Sequence, residues 1–385
     1  MKVLHVYKTY FPDSQGGLEE AIRQICVSSA RKGVNSRVLT TTDKSSPMVI
    51  ESSEAEVIRV KRQVEVASCP LSLGFLSEYK RQAGWADVIN IHVPWPFADV
   101  VHLLSGVKKP VVLTYHSDIV RQRVLNTLYS PLATLLFKNA SKIVATSPNY
   151  FATSENLQRY PEKVKVIALG LDENTYSASA DHDKTKVTTT FQKPFFLFVG
   201  ALRYYKGLHI LLEAAKGLDC DIVIAGAGPL GDKLRKQARR EKISNITFLG
   251  HVSNSMKVAL IQQCIGIVFP SHFRSEAFGV TLLEGAMFGK PLISTELGTG
   301  TTHVNVAGET GLVVPPGNPP ELRQAMRQLM FNPDEAQRMG RAARQRYENL
   351  FTGDMVGTEY TELYEQVLAE YRRLEGSGST LKAAK

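Results

Sequence analysis

A chain of 385 residues exceeds one ordinary α/β domain, so two domains are the first expectation. Its 43% hydrophobic and 22% charged content is that of a globular protein able to bury real cores, and no stretch approaches the roughly 20 apolar residues of a membrane-spanning helix. The net charge of +9, with a pI near 9.2, favours an anionic partner (nucleotide phosphate, lipid headgroup or nucleic acid) without ranking the three. The basic residues are scattered with no aromatic-interleaved run, which argues against nucleic acid.

In chain order, KVLHVY opens as a strand, and LEEAIRQICVSSARKG follows with a helical period through Leu18, Ala21, Ile22 and Ile25, ending at Gly33. SRVLTTT, VIRVKR, DVINIH, PVVLTYH, KIVATS and VKVIAL are further short β-rich runs, and strand–helix alternation of this kind predicts a parallel sheet covered on both faces. Ser177 to Thr190 lacks hydrophobic periodicity and reads as a linker. A second series then starts, with PFFLFVG, DIVIAGAGP, ITFLGHV, GIVFPS, PLIST and GLVVPP as strands. The expected domains are 1–180 and 181–351, two Rossmann-like doubly wound folds facing across a cleft. A helix over 352–374 is expected to pack back on the first domain, with a disordered tail over 375–385.

Cys26, Cys69, Cys220 and Cys264 are far apart and make no CxxC or Cys/His spacing; three lie in apolar segments and read as buried free thiols of a reducing compartment. The N-terminal apolar run is too short, and meets Pro12 and Asp13 too soon, for a signal peptide. A cytoplasmic protein is expected, with peripheral contact at the inner face of the membrane left open.

Three glycine-bearing turns follow strands. Gly16 and Gly17 precede the first helix, where backbone N–H groups and the helix dipole suit a phosphate. VGALRYYKG carries Gly200, Arg203 and Lys206, two cations placed for a diphosphate. AGAGPLG carries Gly228 after DIVIA. Each turn reads equally as a tight βα connection, and Lys206 reads also as a solvated helix-start lysine. Their repetition at strand ends favours ligand binding.

The most informative stretch is VFPSHFRSEAFGVTLLEGAMFGKPLIST, in which Glu276 and Glu284 are separated by seven residues and Phe278 and Gly279 lead into a helix. It resembles family 4 of the retaining glycosyltransferases, which have the GT-B fold, and the similarity runs from the GG loop through VGALRYYKG and AGAGP to ETGLVVPPGN. Eight helical residues would rise about 12 Å, roughly the span from a sugar across a diphosphate to a ribose. A hydrolase carboxylate pair is expected at about 5–9.5 Å, a poorer match. The resemblance implies that Glu276 contacts donor-sugar hydroxyls, that Glu284 contacts the ribose, and that backbone N–H groups of Phe278, Gly279 and Val280 face the sugar and diphosphate. His116, at a strand end in TYHSD, matches by position a family histidine that touches the donor sugar; a strand-end histidine otherwise reads as structural. Asp118 and Lys8 are weaker neighbours. One departure is Ala201, where the family has arginine, so that Arg203 is asked to reach the diphosphate in its place.

The resemblance further implies front-face transfer with retention, in which the departing diphosphate takes the proton and Lys206 and Arg203 stabilise its charge. No cofactor is expected and no metal: the one DxD-like string, Asp181-His182-Asp183, lies in the predicted linker. KTYFPDSQGG, TYHSDIVRQRVLNTLYSPL and IVATSPNY are similar to bacterial O-antigen mannosyl- and rhamnosyltransferases. The expected donor is therefore GDP-mannose, with GDP-rhamnose close behind and UDP-sugars open. A lipid-linked glycan is the expected acceptor. Arg121, Arg123 and Lys138 among apolar residues read as a face for anionic membrane, or as an ordinary core helix with a basic rim. An epimerase or phosphorylase on the same fold, and a non-catalytic nucleotide-sugar-binding subunit, are the competing classes. Against the subunit stands the joint presence of Glu276, Glu284, Lys206 and His116.

Overall fold

The computed structural model describes residues 1–44, 46–66, 68–118, 123–176 and 179–383. The chain divides into two units: unit 1 is 1–146, 154–168 and 353–385, and unit 2 is 147–153 and 169–352.

In chain order the elements begin β1 (Lys2–Val6), α1 (Gly17–Ala30), β2 (Asn35–Thr42), β3 (Val49–Glu51), β4 (Glu56–Lys61), β5 (Val64–Val66), β6 (Cys69–Leu71) and α2 (Phe75–Trp85). They continue β7 (Val88–Val93), α3 (Pro96–Ser105), β8 (Val111–Tyr115), α4 (Arg123–Asn139), β9 (Lys142–Ala145), α5 (Pro148–Thr153), α6 (Glu155–Gln158) and β10 (Val164–Val166). Then come α7 (Asp181–Thr190), β11 (Phe195–Val199), α8 (Leu208–Ala215), β12 (Asp221–Ala225), α9 (Gly231–Arg240), β13 (Ile246–Gly250), α10 (Asn254–Gln263) and β14 (Gly266–Phe269). The chain closes with α11 (Val280–Met287), β15 (Leu292–Thr295), α12 (Thr301–Val304), β16 (Gly311–Val314), α13 (Pro319–Phe331), α14 (Pro333–Leu350) and α15 (Gly353–Ala383).

Unit 1 holds a sheet ordered β10-β9-β8-β7-β1-β2-β4-β3, parallel except for the β3–β4 pair. Its central strands are covered on both faces, so β7 is buried at all six positions, the polar Asn90 and His92 included. One face packs Val3, Val88, Val112 and Val144 under α15, through Val356, Tyr360, Leu363, Tyr364 and Val367. α1 and α15 meet closely, and a Cβ at Gly357 would stand 2.4 Å from the Ser28 carbonyl oxygen. Unit 2 holds a parallel sheet ordered β13-β12-β11-β14-β15-β16, with its core formed by Phe196, Phe198, Ile222, Ile224, Val268 and Ile293 against α8 and α13. In each sheet the strand order reverses beside the first strand, which makes the carboxyl edges there the crevice where such folds bind ligands.

Four expectations change. The unit boundary falls at 168/169 rather than 180/181, and α5 joins unit 2 although the residues on both sides of it belong to unit 1. The predicted linker is helical over Asp181–Thr190. It has one buried apolar residue, Val187, and the hydroxyls of Thr185 and Thr189 bond back to carbonyls within the helix. α10 holds it in place, with Thr188 Oγ1 donating to Gln263 Oε1 at 2.8 Å and Gln263 Nε2 donating to the Lys184 carbonyl at 3.1 Å. Ser177 and Ala178 lie outside the described residues. Finally, the tail expected to be disordered from 375 continues α15 to Ala383. The β5–β6 hairpin and the edge strand β3 were not expected from the sequence; each is only three residues long.

Candidate active site

Unit 2 brings Lys206 and Glu276 together past the carboxyl ends of β11 and β14. Past β11 the chain makes a short 3-10 turn, Tyr204–Lys206, that Gly207 ends at φ 70°. A Cβ there would stand 1.9 Å from the Pro270 carbonyl oxygen, so only glycine lets the Lys206 turn lie against the end of β14. Lys206 Nζ donates to Glu276 Oε2 at 2.5 Å, and Ser271 Oγ donates to the same oxygen at 3.0 Å. Both charged side chains are nearly buried, at 12% and 10% exposure. Burial works against the charge on Lys206, but the Glu276 carboxylate outweighs it and holds the ammonium above its ordinary value. Phe269 and Tyr205 present ring faces to the same nitrogen at 4.6 and 5.3 Å. Arg203 is exposed, and its charge opposes that of Lys206.

Glu276 precedes the helix rather than belonging to it. Gly279, at φ 91°, is the N-cap and α11 starts at Val280, so a continuous helical rise does not separate the two glutamates. Phe278 is buried, and the first N–H groups of α11 have no acceptor within the helix. Glu284 lies one turn into α11 and is 3% exposed. Its Oε1 accepts from Lys257 Nζ at 2.6 Å and from Tyr176 Oη at 3.0 Å. Lys257 also stands 5.0 Å from the Tyr176 ring centroid.

The two other glycine turns have structural explanations. A Cβ at Gly228 would come within 2.6 Å of Leu202 N, and Leu202 N donates to the Ala227 carbonyl at 3.0 Å. Close packing of the two loops therefore accounts for this glycine, and the Gly200 turn forms the other side of that contact. At Gly16 and Gly17 the start of α1 lies beside a carboxylate of the chain itself. Glu19 folds back on the start of α1, accepting from Thr9 Oγ1 at 2.8 Å and Ser14 Oγ at 2.7 Å. A Cβ at Gly16 would stand 2.6 Å from its Oε2. An acidic residue in the first turn is favourable against the helix dipole, and Glu19 stands there beside Glu20.

In unit 1, His116 follows β8 and is 3% exposed. Its backbone N–H donates to the Val93 carbonyl at 2.9 Å, which fixes it at the carboxyl edge of the sheet. The His116 Nε2 is 2.9 Å from His92 Nδ1, and His92 Nε2 is 3.0 Å from His5 Nδ1. Asp118 accepts from Tyr115 Oη at 2.7 Å and Ser154 Oγ at 2.8 Å, and Lys8 Nζ donates to the Ser68 carbonyl at 3.3 Å, so both are tied into the surrounding loops. Among the described residues no group of three or more His, Cys, Asp or Glu is placed to hold a metal, and Asp181 pairs with Lys184 at the start of α7. Arg121 lies outside the described residues, and the side chain of Arg123 is not described; Lys138 is exposed at the end of α4.

Two doubly wound parallel sheets, with clustered cations and glutamates at a strand edge and a helix N-terminus, define a GT-B glycosyltransferase. Residues 15–175 match the family described as Glycosyltransferase Family 4, and residues 180–346 match Glycosyl transferases group 1; the chain belongs to the family 4 glycosyltransferases. It is 50% identical over 352 residues to the D-rhamnosyltransferase WbpZ of Pseudomonas aeruginosa, covering 91% of this chain and 92% of that one. It is 43% identical over 371 residues to the O-antigen chain mannosyltransferase C of Escherichia coli, covering 96% and 99%. Among solved structures, sucrose-phosphate synthase from Thermosynechococcus elongatus superposes with a TM-score of 0.79 at 20% identity, over 96% of this chain and 99% of that one. Anabaena HepE, solved with UDP and glucose, gives 0.76 at 20% identity, over 95% and 100%.

Lys257, Tyr176, Ser271, His92 and His5 were missed in the sequence. Lys257 and Tyr176 sit far from Glu284 in the chain and carry no local signal. The histidines did leave a trace, because VLHVY, NIHVP and TYHSD each place one near the carboxyl end of a strand.

Proposed function

We propose that this chain is a retaining hexosyltransferase that moves mannose from GDP-mannose to a hydroxyl of a lipid-linked glycan in O-antigen assembly, without a metal ion. The observation that carries the reading is the buried Lys206–Glu276 pair beside the N-terminus of α11, with Glu284 one turn further on. In this reading the diphosphate draws the Lys206 ammonium from Glu276, which frees the carboxylate to accept from sugar hydroxyls. Lys206, Arg203 and the first N–H groups of α11 then stabilise the charge that grows on the leaving phosphate. Glu284 accepts from the ribose, His116 lies against the sugar, and the acceptor hydroxyl attacks from the face the nucleotide leaves. Exposed Leu132, Leu135 and Lys138 on α4 suit an anionic membrane that carries the acceptor.

The 50% identity to a D-rhamnosyltransferase favours a second donor, GDP-D-rhamnose. D-Rhamnose is 6-deoxymannose, so the two readings share every contact except those at C6. Thermal stabilisation by GDP, UDP, ADP and TDP in EDTA, followed by transfer assays with both GDP-sugars on a lipid-linked acceptor, separates the possibilities. A selective GDP shift and faster transfer of mannose support the reading. Faster transfer of rhamnose moves the donor, a UDP preference overturns the guanine nucleotide, and no shift with any nucleotide overturns catalysis. Loss of transfer in EDTA overturns metal independence.

A further inference from the structure

Three imidazoles run in one line through the centre of unit 1. His5 lies on β1 opposite Asn90 of β7, and His92 is two residues beyond Asn90. His92 in turn lies opposite Thr114 of β8, and His116 is two residues beyond Thr114. A step of two keeps the side chain on the same face of a sheet. The rings therefore climb one face diagonally, from the buried middle to the carboxyl edge. Neighbouring centroids are 5.3 and 5.2 Å apart, both pairs inclined at 22°. His5 and His92 are fully buried. Tyr364 of α15 closes the inner end with its ring edge-on to His5, 6.4 Å between centroids, and Tyr7 flanks the outer pair.

Each of the two links joins an Nδ1 to an Nε2, and each needs one N–H and one lone pair. A neutral ring has one of each. The proton positions are consequently coupled, and only two arrangements satisfy both links: all three protons on Nδ1, or all three on Nε2. Burial keeps the rings neutral, lowering His5 and His116 to about 3 and holding His92 well below its ordinary value. The inner end separates the two arrangements, because His5 Nε2 is buried with no partner among the described residues. With protons on Nε2 that atom would be an orphaned N–H; with protons on Nδ1 it is only an unused lone pair, the less rare defect in protein interiors. The outer end agrees, since a proton on His116 Nδ1 offers an N–H, and not a lone pair, to an anionic ligand.

We infer that His92 and His5 are positioning residues that hold the His116 ring through its Nε2, lock it as the Nδ1–H tautomer, and so present an N–H donor at the carboxyl edge of the sheet. The catalytic part of this inference rests on the proposed placement of His116 against the donor sugar; the tautomer does not. The hydrogen bond at one ring nitrogen of a functional histidine sets which nitrogen carries the proton, and at metal-bound histidines losing that partner typically costs about 10–100-fold.

Ring 15N spectra of the wild-type protein, labelled at histidine, test the tautomer directly. The expected result is a protonated Nδ1 and a bare Nε2 for His116, His92 and His5, unchanged between pH 5.5 and 8. A protonated Nε2 on His116, or a ring that titrates in that range, overturns the inference. Two variants test the positioning role: His92→Phe keeps the ring volume without nitrogens, and His92→Asn restores an N–H near the Nδ1 position. With GDP-mannose as donor, His92→Phe is expected to lower kcat about 10–100-fold with KM changed less than about twofold, while His92→Asn recovers most of the loss. Equal losses in both variants, or a loss confined to KM, overturn the role. If the wild-type enzyme transfers nothing from GDP-mannose, the functional reading fails separately, and the ring spectra still decide the tautomer.

Discussion

Replacing Lys206 by Met should expose how much the buried ion pair contributes to unit 2. The substitution keeps most of the side-chain length and removes the charge, leaving Glu276, 10% exposed in its side chain, with Ser271 as its remaining hydrogen-bond donor among the described residues. Breaking a buried pair from one side typically costs about 3–5 kcal/mol, because the surviving charge is stranded. The stranded carboxylate has an escape, which is to take up a proton. From an ordinary carboxyl value that escape costs about 4 kcal/mol at pH 7 and about 1 kcal/mol at pH 5, so it caps the loss. The deficit of Lys206→Met against wild type is therefore expected at about 3 kcal/mol at pH 7, falling to about 1 kcal/mol at pH 5. The double variant Lys206→Met/Glu276→Gln, with no stranded charge, should show a deficit of about 1 kcal/mol at both pH values. Urea unfolding followed by far-UV circular dichroism is the assay, since both tryptophans, Trp85 and Trp95, lie in unit 1 and do not report on unit 2. Wild-type stability of Lys206→Met at pH 7, or a deficit that ignores pH, would refute this account of the pair.

Three further outcomes are expected. Glu284→Ala strands Lys257 and removes the acceptor assigned to the ribose, so thermal stabilisation by GDP should vanish; an undiminished shift would place the nucleotide elsewhere. The folded His5 is held neutral at about 3 while the unfolded chain takes up a proton near the ordinary 6.5, so stability is lost as pH falls through 6.5. Comparing wild type with His5→Phe cancels the other titrating groups. Between pH 7.5 and 5.5 wild type should lose about 1.4 kcal/mol more than the variant, and parallel pH curves would contradict the burial of a neutral ring. Gly207→Ala drives a Cβ onto the Pro270 carbonyl at a φ of 70°, which should cost at least about 2 kcal/mol and displace Lys206; unchanged stability and nucleotide binding would show that the turn relaxes freely.

Both sheets were legible in the chain because parallel strands buried on two faces are written as local apolar runs such as the VVL of β8 and the FFLFV of β11. The Glu276/Glu284 segment was legible for a related reason: its loop, glycine N-cap and helix are contiguous, so one stretch of sequence carries the whole device. What depends on neighbours in space was not legible. Asp181–Thr190 has no pattern of its own and is helical because α10 holds it, and α5 sits in unit 2 between two segments of unit 1. Glu19 brings a carboxylate to the Gly16 turn, and glycine spacing cannot show where a nearby carboxylate folds. The histidine line needed strand order and register above all. His5, His92 and His116 are separated by 87 and 24 residues and meet only because β1, β7 and β8 are adjacent and stepped by two. Local chemistry such as turns, caps and buried runs is determined by residues next to one another in the chain. The partners of each ionisable group are chosen by the sheet that brings distant strands together, and the charge and proton position at the site follow from those partners.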